Sequence, residues 1–329
     1  MAQFSYFSSA DSGSPVLNGN SGSLISLLDA VLVNGYPLHP SLGWTKPIAN
    51  STTPHAGCWK QPSGSGFVLY VNDSAPNLTA AGGTREAWAT GWETISNITI
   101  NVGTGSGQFP LPSQMLTSGH VMVRKSNTND AVARQWVMFA DDRTFYLFTL
   151  PNDTAGWYTG LFFGDIYSLK ASGADNYKCM IHGRYSEASS TVTGDSVDMY
   201  QNTNNVTQIA FYVARTGGGG GNSVAANKCV ELGRGGGSGN NAMAGVLQTP
   251  NSTDNSLYVS PIYVIESSGV INRGRMRGMY HLCHAIAGFT DGQTFSGGNE
   301  YAGKTFQVVN RGYNGGQWVI EISNTLETN

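Results

Sequence analysis

Apolar residues recur along this chain with two different periods. Between residues 24 and 33 they fall at Leu24, Ile25, Leu27, Leu28, Val31 and Leu32, the i, i+3, i+4, i+7 spacing of one helix face. Ser23 stands in the N-cap position, and Asn34-Gly35 follows with residues that tolerate the left-handed conformation. The pattern therefore predicts one short helix. Elsewhere the apolar runs are short, rich in Val, Ile, Tyr, Phe and Trp, and bounded by turn residues. They predict strands over 67–71, 95–102, 121–124, 135–140, 144–150 and 158–163. Further strands are predicted over 178–183, 207–214, 256–266, 275–287, 305–310 and 317–323. Asp141-Asp142-Arg143 separates two of them and reads as a hairpin loop. Many short strands without alternating helices predict an all-β fold, an antiparallel sandwich or barrel-like arrangement with one N-terminal helix.

The same pattern divides the chain into a helix and loops over 1–60 packed on a β core and a main β region over 61–215. A glycine-rich loop or linker over 216–241 and a C-terminal β region over 242–329 follow, and the whole is also readable as one continuous domain. Two glycine clusters, 217–221 and 235–237, flank a strand-like stretch over 225–232, so a long decorated hairpin competes with a domain boundary. Ordering such an excursion costs roughly 1–2 kcal/mol per residue of backbone entropy. It is expected to be mobile in the free protein and ordered against a neighbour.

Composition narrows the class. Only 12% of residues are charged, about half the usual ~25%, and 43 of 329 are glycine, which excludes a coiled coil or helical bundle. Hydrophobic residues at 40% and aromatics at 11% can fill a large core, which argues against disorder. The net charge of -3 gives no field for nucleic acid, so no specific nucleic-acid partner is expected. No apolar run approaches the ~18 residues of a membrane span, and residues 1–6 lack the charged and apolar regions of a signal peptide. Cys58, Cys179, Cys229 and Cys283 are widely spaced with no C-x-x-C and read as four reduced thiols of a protein made in a cytosol. The several N-x-[ST] triplets then follow from an Asn- and Thr-rich composition.

Five features touch on chemistry. Gly298-Asn299-Glu300-Tyr301-Ala302-Gly303-Lys304-Thr305 matches the phosphate-loop pattern, but that chemistry needs a helix after the loop, and Phe306-Gln307-Val308-Val309 reads as a strand. Nucleotide binding is not expected. His281-Leu282-Cys283-His284 packs three metal-ligand types into four residues, yet no second cluster completes a site, and neither metal nor cofactor is expected. Arg273, Arg275 and Arg277 alternate with Asn272, Gly274 and Met276, so a strand would carry all three guanidinium groups on one face, suited to an interface with another protein. Asp141, Asp142, Asp165, Asp195 and Asp198 include enough carboxylates for a glycosidase pair, although Asp in turns is ordinary. Of the seven tryptophans, Trp59, Trp88 and Trp92 read as loop residues able to stack on a sugar face, whereas Trp136 and Trp318 lie in strands.

The chain also resembles a family of virion structural proteins encoded by tailed bacteriophages. The resemblance is carried by Ser14-Pro15-Val16-Leu17, Gly22-Ser23-Leu24, Asn34-Gly35-Tyr36 and Gly43-Trp44-Thr45-Lys46-Pro47. It continues through residues 139–148 around Asp141-Asp142-Arg143, through Phe163-Gly164-Asp165-Ile166-Tyr167-Ser168, and through Ser256-Leu257-Tyr258-Val259-Ser260-Pro261. Arg275-Met276-Arg277-Gly278, residues 291–297, Ile322-Ser323-Asn324-Thr325 and Thr328-Asn329 complete it, so it spans nearly the whole chain. It supplies no catalytic residue. It implies a non-enzymatic virion subunit of the tail, neck or baseplate, made in the bacterial cytoplasm and partnered by other virion proteins and by copies of itself. A capsid decoration protein is the runner-up. A receptor-binding protein that binds or cleaves host surface glycan is the competing class.

Overall fold

The computed structural model describes residues 4–52, 55–74, 85–98, 103–114, 119–151, 159–170, 175–184, 209–217, 219–229, 251, 253, 256–266, 271–282, 289–311 and 317–323. Strands take 50% and helical turns 9% of the structure, which is therefore all-β with one short helix and antiparallel sheets.

In chain order the first strands are β1 (Ser5–Ser8), β2 (Ser51–Thr52), β3 (His55–Lys60), β4 (Val68–Asn72), β5 (Glu86–Asn97), β6 (Thr104–Phe109) and β7 (Val121–Arg124). The middle of the chain forms β8 (Gln135–Ala140), β9 (Thr144–Leu150), β10 (Thr159–Asp165), β11 (Tyr167–Ser168), β12 (Cys179–Arg184), β13 (Ile209–Val213) and β14 (Val224–Cys229). The last are β15 (Val259–Glu266), β16 (Asn272–Leu282), β17 (Thr294–Ser296), β18 (Thr305–Arg311) and β19 (Gln317–Glu321).

The predicted helix is present as α1 (Ser23–Leu28) and then widens into a π-helical stretch over Asp29–Asn34. Gly22, with φ 85°, occupies the N-cap in place of Ser23, and the cap comes from far away. Asp73 Oδ2 accepts the Leu24 N–H at 2.9 Å, satisfying one of the donors that a helix start leaves open. Leu24, Leu27, Leu28, Val31 and Leu32 are fully buried.

Three layers result. The central one is β1-β8-β9-β10-β12-β13, antiparallel throughout. On one face α1 and its π extension pack with Trp59, Leu69 and Val71 against Phe145, Leu147, Leu161, Phe163 and Ile181. Strands β2-β3-β4-β5-β7 build that outer layer, and β7 meets the Arg184 end of β12. On the other face Tyr146, Phe148, Phe162 and Met180 pack against Ile262, Val264, Met276, Met279, Trp318 and Ile320 of the C-terminal sheet β15-β16-β19-β18-β17. Covered on both faces, β9 and β10 read as unbroken apolar runs, where a one-sided sheet would alternate.

The glycine-rich stretch departs from the expected linker over its described part. Its N-terminal half makes a turn in which Gly217 N–H donates to Glu266 at 2.7 Å and Gly219 N–H to Thr216 O at 2.8 Å. It then becomes β14, whose first residues pair with β13 and whose last four pair with β15. This strand carries the chain from the central layer into the C-terminal sheet. The second glycine cluster, 235–237, lies outside the described residues.

Candidate functional site

The three arginines of β16 do not form an exposed face. Arg273 is 2% exposed and lies between Asp175, at 3.0 Å, and Glu266, at 3.2 Å. It also donates to the carbonyls of Arg215 and Tyr177. Arg277 is buried against Asp141 at 2.8 Å, with Thr144 Oγ1 at 3.1 Å. Arg275 is half-buried, its guanidinium 4.6 Å from the centre of the Tyr167 ring. The expectation that they grip a neighbouring protein is corrected for Arg273 and Arg277. The pairing register of β16 shifts between Arg275 and Tyr280, so strict alternation does not hold through Arg277; the carboxylates that bury the two arginines include Asp175 and Asp141, 98 and 136 positions away.

Arg277 ties the C-terminal sheet to the β8–β9 hairpin. Asp141 Oδ1 accepts the N–H groups of Arg143 and Thr144, both at 2.8 Å, which fixes the predicted turn as an Asx-type loop. The loop over 61–66 lies across it. Gln61 Nε2 donates to Arg143 O and to Asp165 Oδ1, the Ser65 N–H donates to Asp165 Oδ2 at 3.0 Å, and Arg143 Nε donates to Ser63 Oγ. Burial pushes the carboxyls of Asp141 and Asp165 above the ordinary range, against the pull of Arg277 on the first and of the Ser65 and Gln61 donors on the second. Both are 1% exposed and bonded internally, so they act as turn and loop anchors. Asp195 and Asp198 lie outside the described residues.

The tryptophans expected to meet sugar are in the core. Trp59 is fully buried and donates to Asp29 Oδ1 at 2.9 Å. Trp92 is 5% exposed and donates to Thr90, and Trp88, 7% exposed, lies against His120 with ring centres 4.8 Å apart. All three sit in strands β3 and β5 rather than loops, which corrects their reading as glycan contacts. The segment spelling a phosphate loop closes the β17–β18 hairpin, with Gly297 N–H donating to Lys304 O at 2.8 Å. Lys304 Nζ meets Glu321 at 2.8 Å, and the chain continues as strand β18, so no helix follows to receive phosphate. His281 is buried against Trp318, ring centres 4.8 Å apart. Cys283 and His284 lie outside the described residues. Among the described residues no group of three His, Cys, Asp or Glu is arranged to hold a metal ion.

A binding geometry does occur at a place the sequence does not mark. Strands β1 and β8 on one side and β18 with the Asp291-Gly292 turn on the other leave a cleft of about 440 Å³ at the open end of the central interface. No protein-family model matches the chain, and no curated protein matches it.

Proposed function

We propose that the chain is a non-enzymatic structural subunit of a tailed-bacteriophage virion, placed in the tail, neck or baseplate. It is made in the host cytoplasm and assembled with copies of itself and with other virion proteins. The sequence resemblance along most of the chain supports this reading, and one structural observation carries it. Among the described residues, four pairs of opposite charge lie inside the protein. The side chains of Arg124–Glu86, Lys125–Asp73, Arg273–Asp175 and Arg277–Asp141 are each at most 6% exposed. The outer surface is therefore poorer in charge than the composition alone implies. Subunits that pack on neighbours over large areas benefit from polar, uncharged contact surface, because burying unpaired charge at an interface is costly.

The buried arginines also relocate the contact surface away from Arg273 and Arg277. Immunogold labelling of intact particles tests the assignment: label on the tail, neck or baseplate is expected. Label confined to the head would favour the capsid decoration reading, and particles without label, from a preparation in which the denatured particles react, would contradict an exposed position.

A further inference from the structure

The cleft between β1–β8 and β18 has an apolar floor that includes Phe139, and its walls carry Tyr6, Ser8, Gln135, Asp291 and Gln307. Its volume of about 440 Å³ falls in the range of small-molecule sites, which runs from roughly 300 to 1,000 Å³. Gln307 distinguishes it from a packing gap. It lies on β18 between Phe306 and Val308, which face the outer apolar cluster, and so shares the inward face with Val309. It is only 7% exposed, and its side-chain amide makes no hydrogen bond to a described residue. Opening on the cleft, it offers two donor hydrogens and an acceptor to whatever enters.

The other groups define the visitor. Tyr6 is half-buried, its ring 5.2 Å from that of Phe139 and inclined at 57°. Burial, together with the nearby Asp11 and Asp291 carboxylates, holds its hydroxyl protonated. Amide, carboxylate and hydroxyl groups bind hydroxyl groups, and an aromatic ring suits the C–H face of a pyranose. The described lining holds no Lys, Arg or His, and Asp291 repels anions. We propose that this cleft binds a neutral carbohydrate, with Gln307 and Asp291 hydrogen-bonding its hydroxyls and Tyr6 against its ring. The inference is independent of the virion assignment, since it concerns the isolated chain, and it gives sugar recognition a site unrelated to Trp59, Trp88 and Trp92.

Saturation-transfer NMR and calorimetric titration of the purified full chain test it with maltohexaose, cellohexaose, chitohexaose and mannohexaose, alongside sialyllactose and trigalacturonate as anionic probes. At least one neutral saccharide is expected to bind and the anionic ones to fail. Tyr6→Ala and Gln307→Leu should each weaken that binding by about tenfold or more. Gln307→Leu keeps the side-chain size and removes the amide, and a melting temperature within a few degrees of the wild type separates lost binding from lost folding. No neutral saccharide binding at millimolar concentration, preference for the anionic probes, or unchanged binding in Gln307→Leu would each overturn the proposal.

Discussion

Asp29 and Asp73 show how single carboxylates organise this protein. Asp29, at the point where α1 widens, receives the Trp59 indole N–H, the Lys46 ammonium and the Asn50 amide at 2.6–2.9 Å. Asp73 caps α1 and pairs with Lys125, and both side chains are fully buried. Burial pushes the Asp73 carboxyl up to about 6 and the Lys125 ammonium below its usual value, while their mutual attraction opposes both shifts. Lys125 also donates to Asn20 O at 2.7 Å and Ser23 Oγ at 3.2 Å. Lys125→Met leaves the carboxylate buried without its cation, and a loss of about 3–5 kcal/mol in chemical denaturation at neutral pH is expected. A loss below about 1 kcal/mol, the value of an exposed pair, would show the pair is solvated.

Asp165 titrates in the same sense. Its folded-state carboxyl is raised by burial above its unfolded value, so the native state binds a proton more readily than the unfolded chain. Its contribution is fully present below the unfolded value and declines as pH rises through the folded one. Urea denaturation of wild type and Asp165→Asn should therefore show the difference moving in favour of wild type as pH falls from 7 toward 4.5. A difference that stays flat across that interval would remove the titration assigned to Asp165.

Among the elements, β7, β8 and β9 fall where the apolar runs place them, because side chains buried on both faces leave a continuous signal and polar turns bound it. The β8–β9 hairpin was equally legible, since Asp141 can bond the backbone of its own turn. The strand predicted over 95–102 overlaps the end of β5, and its residues 99–102 lie outside the described residues. The earlier part of β5, Glu86–Asn97, was not marked, because Ala87, Ala89 and Gly91 carry too little hydrophobicity. Gly91 is needed because an added Cβ would lie 2.2 Å from the Phe109 ring. Strand β14 was recognised in outline, but its role in joining two sheets depends on partners distant in sequence. Deleting residues 217–237, which a mobile loop would tolerate, removes β14 and the Gly217–Glu266 contact. The deletion variant is expected to lose its cooperative unfolding transition in circular dichroism. A cooperative transition within a few degrees of wild type would return the segment to the status of a dispensable loop.

At the scale of the whole molecule, layering explains both what was legible and what was not. Fold class follows from turn chemistry and apolar runs, which are local. The sites follow from what lies across each layer, which is not. Arg273 and Arg277 meet carboxylates from other elements, Trp59 meets Asp29, and Gln307 meets a cleft whose opposite wall is β1, at the other end of the chain. A lone glutamine in an apolar strand is the single sequence trace of that cleft, and polar residues in strands normally face water. The same layering draws paired charges inward and leaves the polar, weakly charged exterior on which the assembly proposal rests. Quantitative mass spectrometry of gradient-purified particles from a lysate producing this chain tests that proposal most directly. Co-purification with the particles at a fixed copy number that is a multiple expected of symmetric assembly is expected; recovery of the chain only in the soluble fraction, with none in the particles, would contradict the proposal.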